Sequence, residues 1–445
     1  MLSFGTDGIR GVANTELTPE IALGLGRAVV ELFNARTVLV GRDTRLSGDM
    51  LASAFAAGVT SQGAEVHNLS VLPTGGIAFA AALRGAPAAV ISASHNPFAD
   101  NGIKIFDAKG RKLHDDVEER LEHRLTELLS GVNVERSTSV GRIVRDRVDE
   151  EYLQFLATSF TARSAGGFRL VIDCANGAAS EIAPSLFESL GFEIVEVIGV
   201  EPDGRNINAG VGSTDVGLLR EAVVSGSADL GLAFDGDADR LVAVDDEGEI
   251  IDGDVLLALF AQDLDALGAL RGGMVVATIM SNLGLEIALD RAGISLLRCP
   301  VGDRYVLEKM EQHDVMLGGE QSGHIIFRDE ATTGDGLLSA VKLVDLVVRR
   351  GERLSRLRKE AMVRLPQVLL NLRVDDPRGV MDAASVVAVV DEGIRELGAD
   401  GRIIVRASGT EPKIRVMVEA PTYERAHSMA ERIGNVVKAA ARRAG

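Results

Sequence analysis

Short apolar strands alternate with amphipathic helices along most of the 445-residue chain, and this alternation restricts its fold more than any other feature. The segment TPEIALGLGRAVVELFN, from Thr18, has a helix-capping residue, a proline in the first turn and apolar residues at helical spacing. TVLVG at 37–41 is typical of a strand, and a second helix to about residue 62 and two further strands follow. Repeated units of this kind predict sheets covered by helices.

The strand–helix series restarts twice, which divides the chain. New series begin with FRLVIDCANG (168–177) and GGMVVATIMSNLG (272–284). After Pro366 the pattern changes to three strand-like segments, VLLNLRV, RIIVRASG and KIRVMVEA, and a final amphipathic helix with Thr422 as its predicted N-cap. We therefore expect an α/β protein with three α/β domains and a smaller α+β domain, at residues 1–150, 151–252, 253–365 and 366–445.

Charge and composition exclude several classes of protein. A net charge of −18, from 65 acidic and 47 basic side chains, argues against a nucleic-acid partner. The sequence has no apolar run long enough to cross a bilayer, and MLSFGTDGIRG lacks the features of a signal peptide, so we expect a cytoplasmic protein without membrane contact. Cys174 and Cys299 are far apart and outside any CxxC pattern, which predicts structural thiols.

Four unusual polar clusters each follow a predicted strand. They are AVISAS with HNP, LGLAF with DGDADR, VMLG with GEQSGH, and IIVRA with SGTEP. In open α/β sheets, ligands bind outside the carboxyl ends of the strands. We therefore expect these loops to converge on one site, whereas the alternative is four unrelated polar turns.

FDGDADR is the candidate metal loop. Asp235, Asp237 and Asp239 alternate, so a looping backbone turns all three carboxylates to one side, and such oxygen ligands suit Mg²⁺ or Ca²⁺. An EF-hand is excluded because Arg240 stands at the glycine position and Asp246 at the glutamate position. A solvated acidic turn is the alternative.

Two other clusters suit an anionic sugar ligand. RASGTEPKIR concentrates hydrogen-bond donors that suit a phosphate, although it is not a P-loop, and a surface hairpin with a basic rim is the alternative. GGEQSGH offers Glu320, Ser322 and His324 between glycines, and a carboxylate with a hydroxyl can orient the hydroxyl or amino groups of a sugar. On its own this second signal is weak.

Ser94, in ISASHNPFADNGIKIF (91–106), carries the third kind of chemistry. A hydrolase nucleophile elbow requires G-x-S-x-G, but Ser92 and Asn96 occupy the glycine positions. With a metal loop and a phosphate-binding loop elsewhere in the chain, a serine that carries a phosphoryl group is the simplest interpretation. No role for Ser92 follows from the sequence.

Read together, these motifs closely resemble the α-D-phosphohexomutase family. The resemblance runs in order through FGTDGIRG, GRDTRLSG, ISASHNPFADNGIK, FDGDADR, VGDRYV, GEQSGH and RASGTEPKIRVM, and so covers essentially the whole chain. The pairing of VGDRYV with EQSGH is similar to the branch that acts on glucosamine phosphates. The family implies mixed sheets in the three α/β domains and a TBP-like C-terminal domain around a central active-site cleft.

The resemblance also implies roles for individual residues. Ser94 would be the phosphoserine, flanked by Arg10, Lys104 and His95, and one of its phosphate oxygens would join Asp235, Asp237 and Asp239 in binding Mg²⁺. Arg240 would add positive charge during transfer. The expected contacts to the sugar come from the third domain, at Gly302, Asp303, Arg304, Glu320, Ser322 and His324. The expected contacts to the distal phosphate are Arg406, Ser408, Gly409, Thr410, Lys413 and Arg415.

The implied reaction interconverts D-glucosamine 6-phosphate and D-glucosamine 1-phosphate, and feeds UDP-N-acetylglucosamine and cell-wall synthesis. Phosphoserine and glucosamine 1,6-bisphosphate would be intermediates, with that compound or glucose 1,6-bisphosphate as activator. Lys104 and His95 are both candidates for proton transfer. The alternatives are a phosphoglucomutase or phosphomannomutase, a metal-dependent sugar phosphatase and a non-catalytic sugar-phosphate binding protein. A homodimer is a further possibility.

Overall fold

The computed structural model describes residues 8–132, 137–407 and 413–444. The chain divides into two compact units. The larger contains Met1–Met280 and Gly293–Ala361, and the smaller contains Ser281–Ala292 and Met362–Gly445.

The first sheet of the larger unit is mixed and is built from the N-terminal third of the chain. Its elements are β1 (Ile9–Val12), α1 (Pro19–Phe33), β2 (Thr37–Arg42), α2 (Gly48–Ser61), β3 (Glu65–Val71), α3 (Thr74–Arg84), β4 (Ala88–Ile91), β5 (Asp100–Phe106), α4 (Asp115–Leu129), β6 (Ile143–Arg145) and α5 (Asp149–Thr158). The strand order is β1-β5-β4-β2-β3-β6. The neighbouring strands β4, β2, β3 and β6 are parallel to one another. The predicted first helix and the strand after it are confirmed.

Apolar side chains from α1, α2 and α4 form a core with this sheet. Leu25, Phe55 and Leu121 are fully buried, together with Val40 and Ile105 of the strands. Burying each such side chain stabilises the fold by about 1.5–3 kcal/mol. The loops at the ends of β2 and β4 are thereby fixed to a rigid support.

The second sheet repeats the parallel pattern and adds an antiparallel edge. Its elements are β7 (Arg169–Asp173), α6 (Ile182–Ser189), β8 (Glu193–Ile198), α7 (Gly217–Gly226), β9 (Leu230–Phe234), β10 (Leu241–Asp245) and β11 (Ile250–Ile251). The order is β11-β10-β9-β7-β8, with β7, β8 and β9 parallel. The turn between β9 and β10 contains the predicted metal loop.

The third sheet has the order β13-β12-β14-β15, in which the last pair is antiparallel. Its region comprises α8 (Gly253–Ala266), β12 (Met274–Thr278), α9 (Leu283–Arg291), β13 (Ser295–Cys299), α10 (Asp303–Gln312), β14 (Leu317–Gly319), β15 (Ile325–Phe327), α11 (Gly336–Arg350) and α12 (Leu354–Ala361), with a 3₁₀ turn at Arg271–Gly273. Helix α9 groups with the smaller unit rather than with its own sheet.

The smaller unit is an antiparallel sheet covered by helices, as expected for an α+β domain. It contains β16 (Gln367–Arg373), α13 (Pro377–Met381), α14 (Ala384–Leu397), a 3₁₀ turn (Gly398–Asp400), β17 (Arg402–Ala407), β18 (Lys413–Glu419) and α15 (Tyr423–Ala444), in the strand order β16-β18-β17. Thr422 Oγ1 accepts a hydrogen bond from the Arg425 amide at 3.3 Å, which confirms the predicted cap of the last helix.

Two findings bear on the predictions from composition. Both cysteines are free and buried, and burial raises the pKa of the Cys299 thiol to about 11. Over the ranges that the structure describes, no helix is both long and apolar enough to span a membrane.

Candidate active site

Ser94 lies in the turn that follows β4, at the carboxyl end of that strand. Its side chain is buried, and its Oγ donates a hydrogen bond to Asp235 Oδ2 at 2.6 Å. Ser94 has a φ of +52°, a left-handed conformation that is uncommon for residues with a side chain. A loop of the first sheet thus places the Ser94 hydroxyl group against a carboxylate in a loop of the second sheet.

The metal loop approaches the serine turn closely because of one glycine. A Cβ atom on Gly236 would lie 2.7 Å from the Ser94 carbonyl oxygen, so any larger residue would push the two loops apart. The following carboxylates of Asp237 and Asp239 are also buried, and ligand atoms from Asp235, Asp237 and Asp239 all lie within 4.8 Å of one another.

The carboxylate oxygens of this triad suit a divalent cation as its ligands. Asp237 Oδ1 and Asp239 Oδ1 are buried, and neither accepts a hydrogen bond from the residues the structure describes. Buried carboxylate oxygens without partners are costly unless a cation binds them, and hard oxygen ligands are those that Mg²⁺ prefers. The prediction of a metal site therefore has structural support, whereas a solvated acidic turn does not fit carboxylates that are buried.

Lys104 of β5 balances part of the negative charge of the triad. Its buried ammonium group lies 2.8 Å from Asp237 Oδ2 and 3.3 Å from Asp239 Oδ2. Burial acts to raise the pKa of Asp239, but the charges of Lys104 and of other cationic groups nearby lower it well below its ordinary value. Burial, followed by the charges of Asp239 and Asp237, raises the pKa of Asp235 to about 8.

His95 is a neutral acceptor in this arrangement. Burial, together with the charges of Arg240 and Arg10, lowers the pKa of its imidazole to about 4. Arg240 Nη1 lies 2.9 Å from His95 Nδ1, and since a guanidinium group can only donate, Nδ1 is the accepting nitrogen. The same nitrogen is 3.3 Å from Ser94 Oγ. Arg10 lies on β1, opposite Gly102 of β5.

His324 joins the metal loop to the VGDRYV loop. Its buried imidazole lies with Nδ1 3.6 Å from Asp239 Oδ1 and Nε2 3.3 Å from Asp303 Oδ2. Asp303 in turn forms an ion pair with the buried ammonium of Lys112. Nε2 of His324 also accepts the Gly334 amide at 3.0 Å. The ring is therefore fixed between two carboxylates rather than exposed to solvent.

Glu320 follows β14 and contacts the same VGDRYV loop. Its Oε1 accepts a hydrogen bond from the Gly302 amide at 3.0 Å, and the exposed Ser322 lies with Oγ 3.4 Å from Glu320 Oε2. Arg304 is buried and forms ion pairs with Glu118 and Asp115 of α4. These pairs connect the third region to the first, and a sugar contact for Arg304 stays a prediction.

The predicted phosphate-binding residues belong to the smaller unit. Arg406 of β17 is directly opposite Arg415 of β18, and Lys413 lies two residues before Arg415 on the same strand. Burial and the neighbouring charge of Arg415 lower the pKa of Arg406. Side-by-side guanidinium groups favour an anionic ligand. Ser408, Gly409 and Thr410 lie outside the described residues.

Two residues that support the site, Thr74 and Asn208, lie outside the sequence motifs. Thr74, at the start of α3, donates through Oγ1 to Asp237 Oδ2 at 2.8 Å and through its amide to the Asp237 carbonyl. Asn208 donates to the Ser94 carbonyl at 2.9 Å. Asp43 and Arg45 also support the site, and they lie in GRDTRLSG directly after β2. Their position is one that the pattern of polar loops after strands does predict.

Asp173, at the end of β7, is expected to make the free energy of unfolding depend on pH. Burial raises the pKa of this carboxyl group to about 6, although the amides of Ala175 and Gly212 donate to it. With an ordinary pKa of 3.8 in the unfolded chain, the folded protein binds more protons between those two values, so its stability falls as pH rises through them. We expect the wild-type protein to lose about 2–3 kcal/mol relative to Asp173→Asn across this interval.

Thermal unfolding of both proteins at several pH values tests this expectation. The asparagine cannot titrate, so the difference in Tm between the two proteins should change between about pH 4 and pH 6 and be constant above about pH 7. A difference that is the same at every pH would contradict it.

A serine hydroxyl bonded to a buried carboxylate triad, on loops at the carboxyl ends of strands in α/β sheets, is typical of enzymes that transfer phosphoryl groups with a metal ion. Comparison with known proteins defines the family. Models of phosphoglucomutase/phosphomannomutase domains I, II, III and IV match residues 1–130, 150–248, 252–365 and 369–436. The chain belongs to this family, which confirms the resemblance and the four-domain fold class.

Individual relatives cover nearly the whole chain. It is 49% identical to a phosphoglucosamine mutase from Desulforudis audaxviator, over 94% of this chain and 93% of that protein. It is 44% identical to a phosphoglucosamine mutase from a Thermoanaerobacter species, over 98% of both. A phosphoglucomutase/phosphomannomutase family protein from Burkholderia thailandensis has a similar crystal structure, with a TM-score of 0.81, 25% identity and coverage of 99% of this chain and 98% of that one.

Proposed function

We propose that the protein is a phosphoglucosamine mutase that interconverts D-glucosamine 6-phosphate and D-glucosamine 1-phosphate. The contact between Ser94 Oγ and Asp235 Oδ2, at 2.6 Å, is the observation that carries the phosphoserine mechanism. The names and full-length similarity of the curated relatives support the choice of an amino-sugar phosphate. Glucosamine 1-phosphate produced in this way suits the synthesis of UDP-N-acetylglucosamine.

The proposed reaction has two phosphoryl transfers. In the first, the anomeric hydroxyl of glucosamine 6-phosphate attacks the phosphorus of phospho-Ser94, a new bond forms to the sugar oxygen, and the bond to Ser94 Oγ breaks. The hydroxyl proton passes to a base, and Ser94 Oγ gains a proton. In the second, Ser94 Oγ gives up its proton and attacks the phosphorus of the 6-phosphate of the resulting glucosamine 1,6-bisphosphate. The bond between that phosphorus and the sugar O6 breaks and O6 takes up a proton, which leaves glucosamine 1-phosphate and restores phosphoserine.

The charges around Ser94 suit these transfers. When bound, Mg²⁺ would be held by Asp235, Asp237 and Asp239 and would neutralise charge on the phosphoryl oxygens. The contacts of the Lys104 ammonium group with Asp237 and Asp239 support an electrostatic role for this lysine. His95 Nδ1 lies 3.3 Å from Ser94 Oγ and is a candidate to accept the serine proton, but Arg240 must first release that nitrogen.

The sugar and its second phosphate would be bound by the other two clusters. We assign the sugar hydroxyl and amino groups to Glu320 and Ser322, with Gly302, Asp303, Arg304 and His324 supporting the loops. We assign the distal phosphate to the cationic residues Arg406, Lys413 and Arg415 together with Ser408, Gly409 and Thr410. Glucose 1,6-bisphosphate would phosphorylate Ser94 and so activate the protein.

Turnover of three substrates tests the choice of sugar. We expect kcat/KM for glucosamine 6-phosphate to exceed the values for glucose 6-phosphate and mannose 6-phosphate by at least about tenfold, because a site built to hydrogen-bond the amino group of the sugar discriminates against sugars that lack that group. Equal or higher values for the other sugars would favour a phosphoglucomutase or phosphomannomutase. Release of inorganic phosphate at the rate of substrate loss would favour a phosphatase.

A further inference from the structure

Ser94 has a backbone conformation that needs support. For a residue other than glycine, a φ of +52° is disfavoured against the right-handed conformations by on the order of tenfold. Such a conformation persists only where surrounding contacts hold it. The transferred phosphoryl group must also lie within a narrow range of positions, since misplacing it by about 1 Å can slow a reaction about a hundredfold. Whatever holds this turn therefore affects the transfer.

Ser92 holds the amino side of the turn. Its Oγ accepts the Ser94 amide at 2.9 Å and donates to Asp43 Oδ2 at 2.6 Å. Both serine side chains are buried, and so is Asp43. The Ser92 hydroxyl therefore connects the backbone of the carrier serine to a carboxylate on the neighbouring strand end.

Arg45 holds the carboxyl side of the same turn. The guanidinium group is buried, and all five of its N–H groups are used. Nε donates to Asp43 Oδ2, one terminal nitrogen donates to the carbonyls of Ser94 and Asn96, and the other donates to the carbonyls of Pro97 and Asp100. One planar cation thus fixes four carbonyl groups around the turn, and Asp43 orients that cation and Ser92 together.

We propose that Asp43, Arg45 and Ser92 are positioning residues that hold Ser94 in its left-handed conformation, with Oγ directed at the metal loop. This inference rests on the proposed role of Ser94 as the phosphoryl carrier. All three side chains are fully buried beneath the turn, so they act on the rate of transfer through its geometry. It also gives Ser92 a role that is distinct from that of Ser94.

Ser92→Ala is the direct test. The substitution removes the acceptor of the Ser94 amide and a donor to Asp43 without adding volume. We expect kcat, and the single-turnover rate at which glucose 1,6-bisphosphate phosphorylates Ser94, to fall about 10- to 100-fold. KM for glucosamine 6-phosphate should change by less than about threefold, because the Ser92 side chain is fully buried. Ser92→Thr retains the hydroxyl and should restore most of the transfer rate.

Ser159→Ala is the matched control. Ser159 is also a buried serine that donates to a carboxylate, Glu330 Oε2 at 2.9 Å, but it is outside the site. It should lower Tm without changing the transfer rate. If Ser92→Ala lowers the transfer rate no more than this control, or lowers kcat/KM only by raising KM, the positioning role is wrong. If the wild-type protein neither accepts phosphate on Ser94 nor turns over sugar phosphates, the carrier role fails first.

Discussion

Replacing Ser94 with alanine is expected to reduce the interconversion of glucosamine 6-phosphate and glucosamine 1-phosphate by at least about a thousandfold, because the group that carries the phosphoryl is then absent. Alanine keeps the backbone and removes only a hydroxyl that donates to Asp235 Oδ2. The fold should persist, so Tm should change by only a few degrees. A coupled assay of glucosamine 1-phosphate formation, with thermal unfolding in parallel, measures both effects.

Intact mass supplies a second measurement on the same variant. The wild-type protein incubated with glucose 1,6-bisphosphate should gain one phosphoryl group, and Ser94→Ala should gain none. Ser225→Ala is a suitable control, since Ser225 is an exposed helical residue whose hydroxyl donates to the Glu221 carbonyl of its own helix. Near-normal turnover by Ser94→Ala, or phosphorylation that maps to another residue, would show that Ser94 is not the carrier.

Removing divalent cations is expected to lower turnover by at least about a hundredfold, and adding Mg²⁺ should restore it. The physical reason lies in the triad: its three carboxylates are buried, and two of their oxygens, Asp237 Oδ1 and Asp239 Oδ1, accept no hydrogen bond within the described residues. Phosphoryl oxygens brought to this place without a cation would meet these unpaired carboxylate oxygens, so a bound cation is needed to neutralise charge during the transfer. Assays with and without EDTA, followed by titration with Mg²⁺, give the measurement.

A variant of the triad separates loss of the metal from other effects of EDTA. Asp237→Asn keeps an acceptor for Lys104 and Thr74 but removes a negative ligand, so Mg²⁺ should no longer restore turnover at the same concentration. Glu247→Gln, on the exposed carboxylate that pairs with Lys359, is a control for charge alone. Full activity in EDTA would exclude a metal from the transfer step.

The sequence predicts the convergence of the loops well. The alternation of apolar segments with helices identifies the strands. Ser94, Asp235 and Glu320 lie in the polar loops that follow β4, β9 and β14. Because the rule depends only on where strands end, it succeeds for residues that are far apart in the chain. After β17, the predicted phosphate-binding residues Ser408, Gly409 and Thr410 lie outside the described residues, so that part of the expectation stays a prediction.

The parts that the sequence leaves open depend on single tertiary contacts. Arg304 pairs with Glu118, 186 residues away, and no local pattern separates such an arginine from one that binds a sugar. Helix α9 groups with the smaller unit, and the Asn282 side chain that precedes it contacts Glu419 at 3.2 Å, a long-range contact that no local pattern predicts. The sequence places a domain division at 365–366 but not this inserted segment. The remaining predicted boundaries stay predictions.

The bond between Ser94 and Asp235 also has a consequence for the order in which the site forms during synthesis. The two residues are 141 positions apart, so the ribosome adds Asp235 about 7–28 s after Ser94. The first sheet contains every strand it needs well before that time, but its serine has no carboxylate to face. A nascent chain therefore carries Ser94 without a completed site, and the hydroxyl meets its partner only once the second sheet has folded.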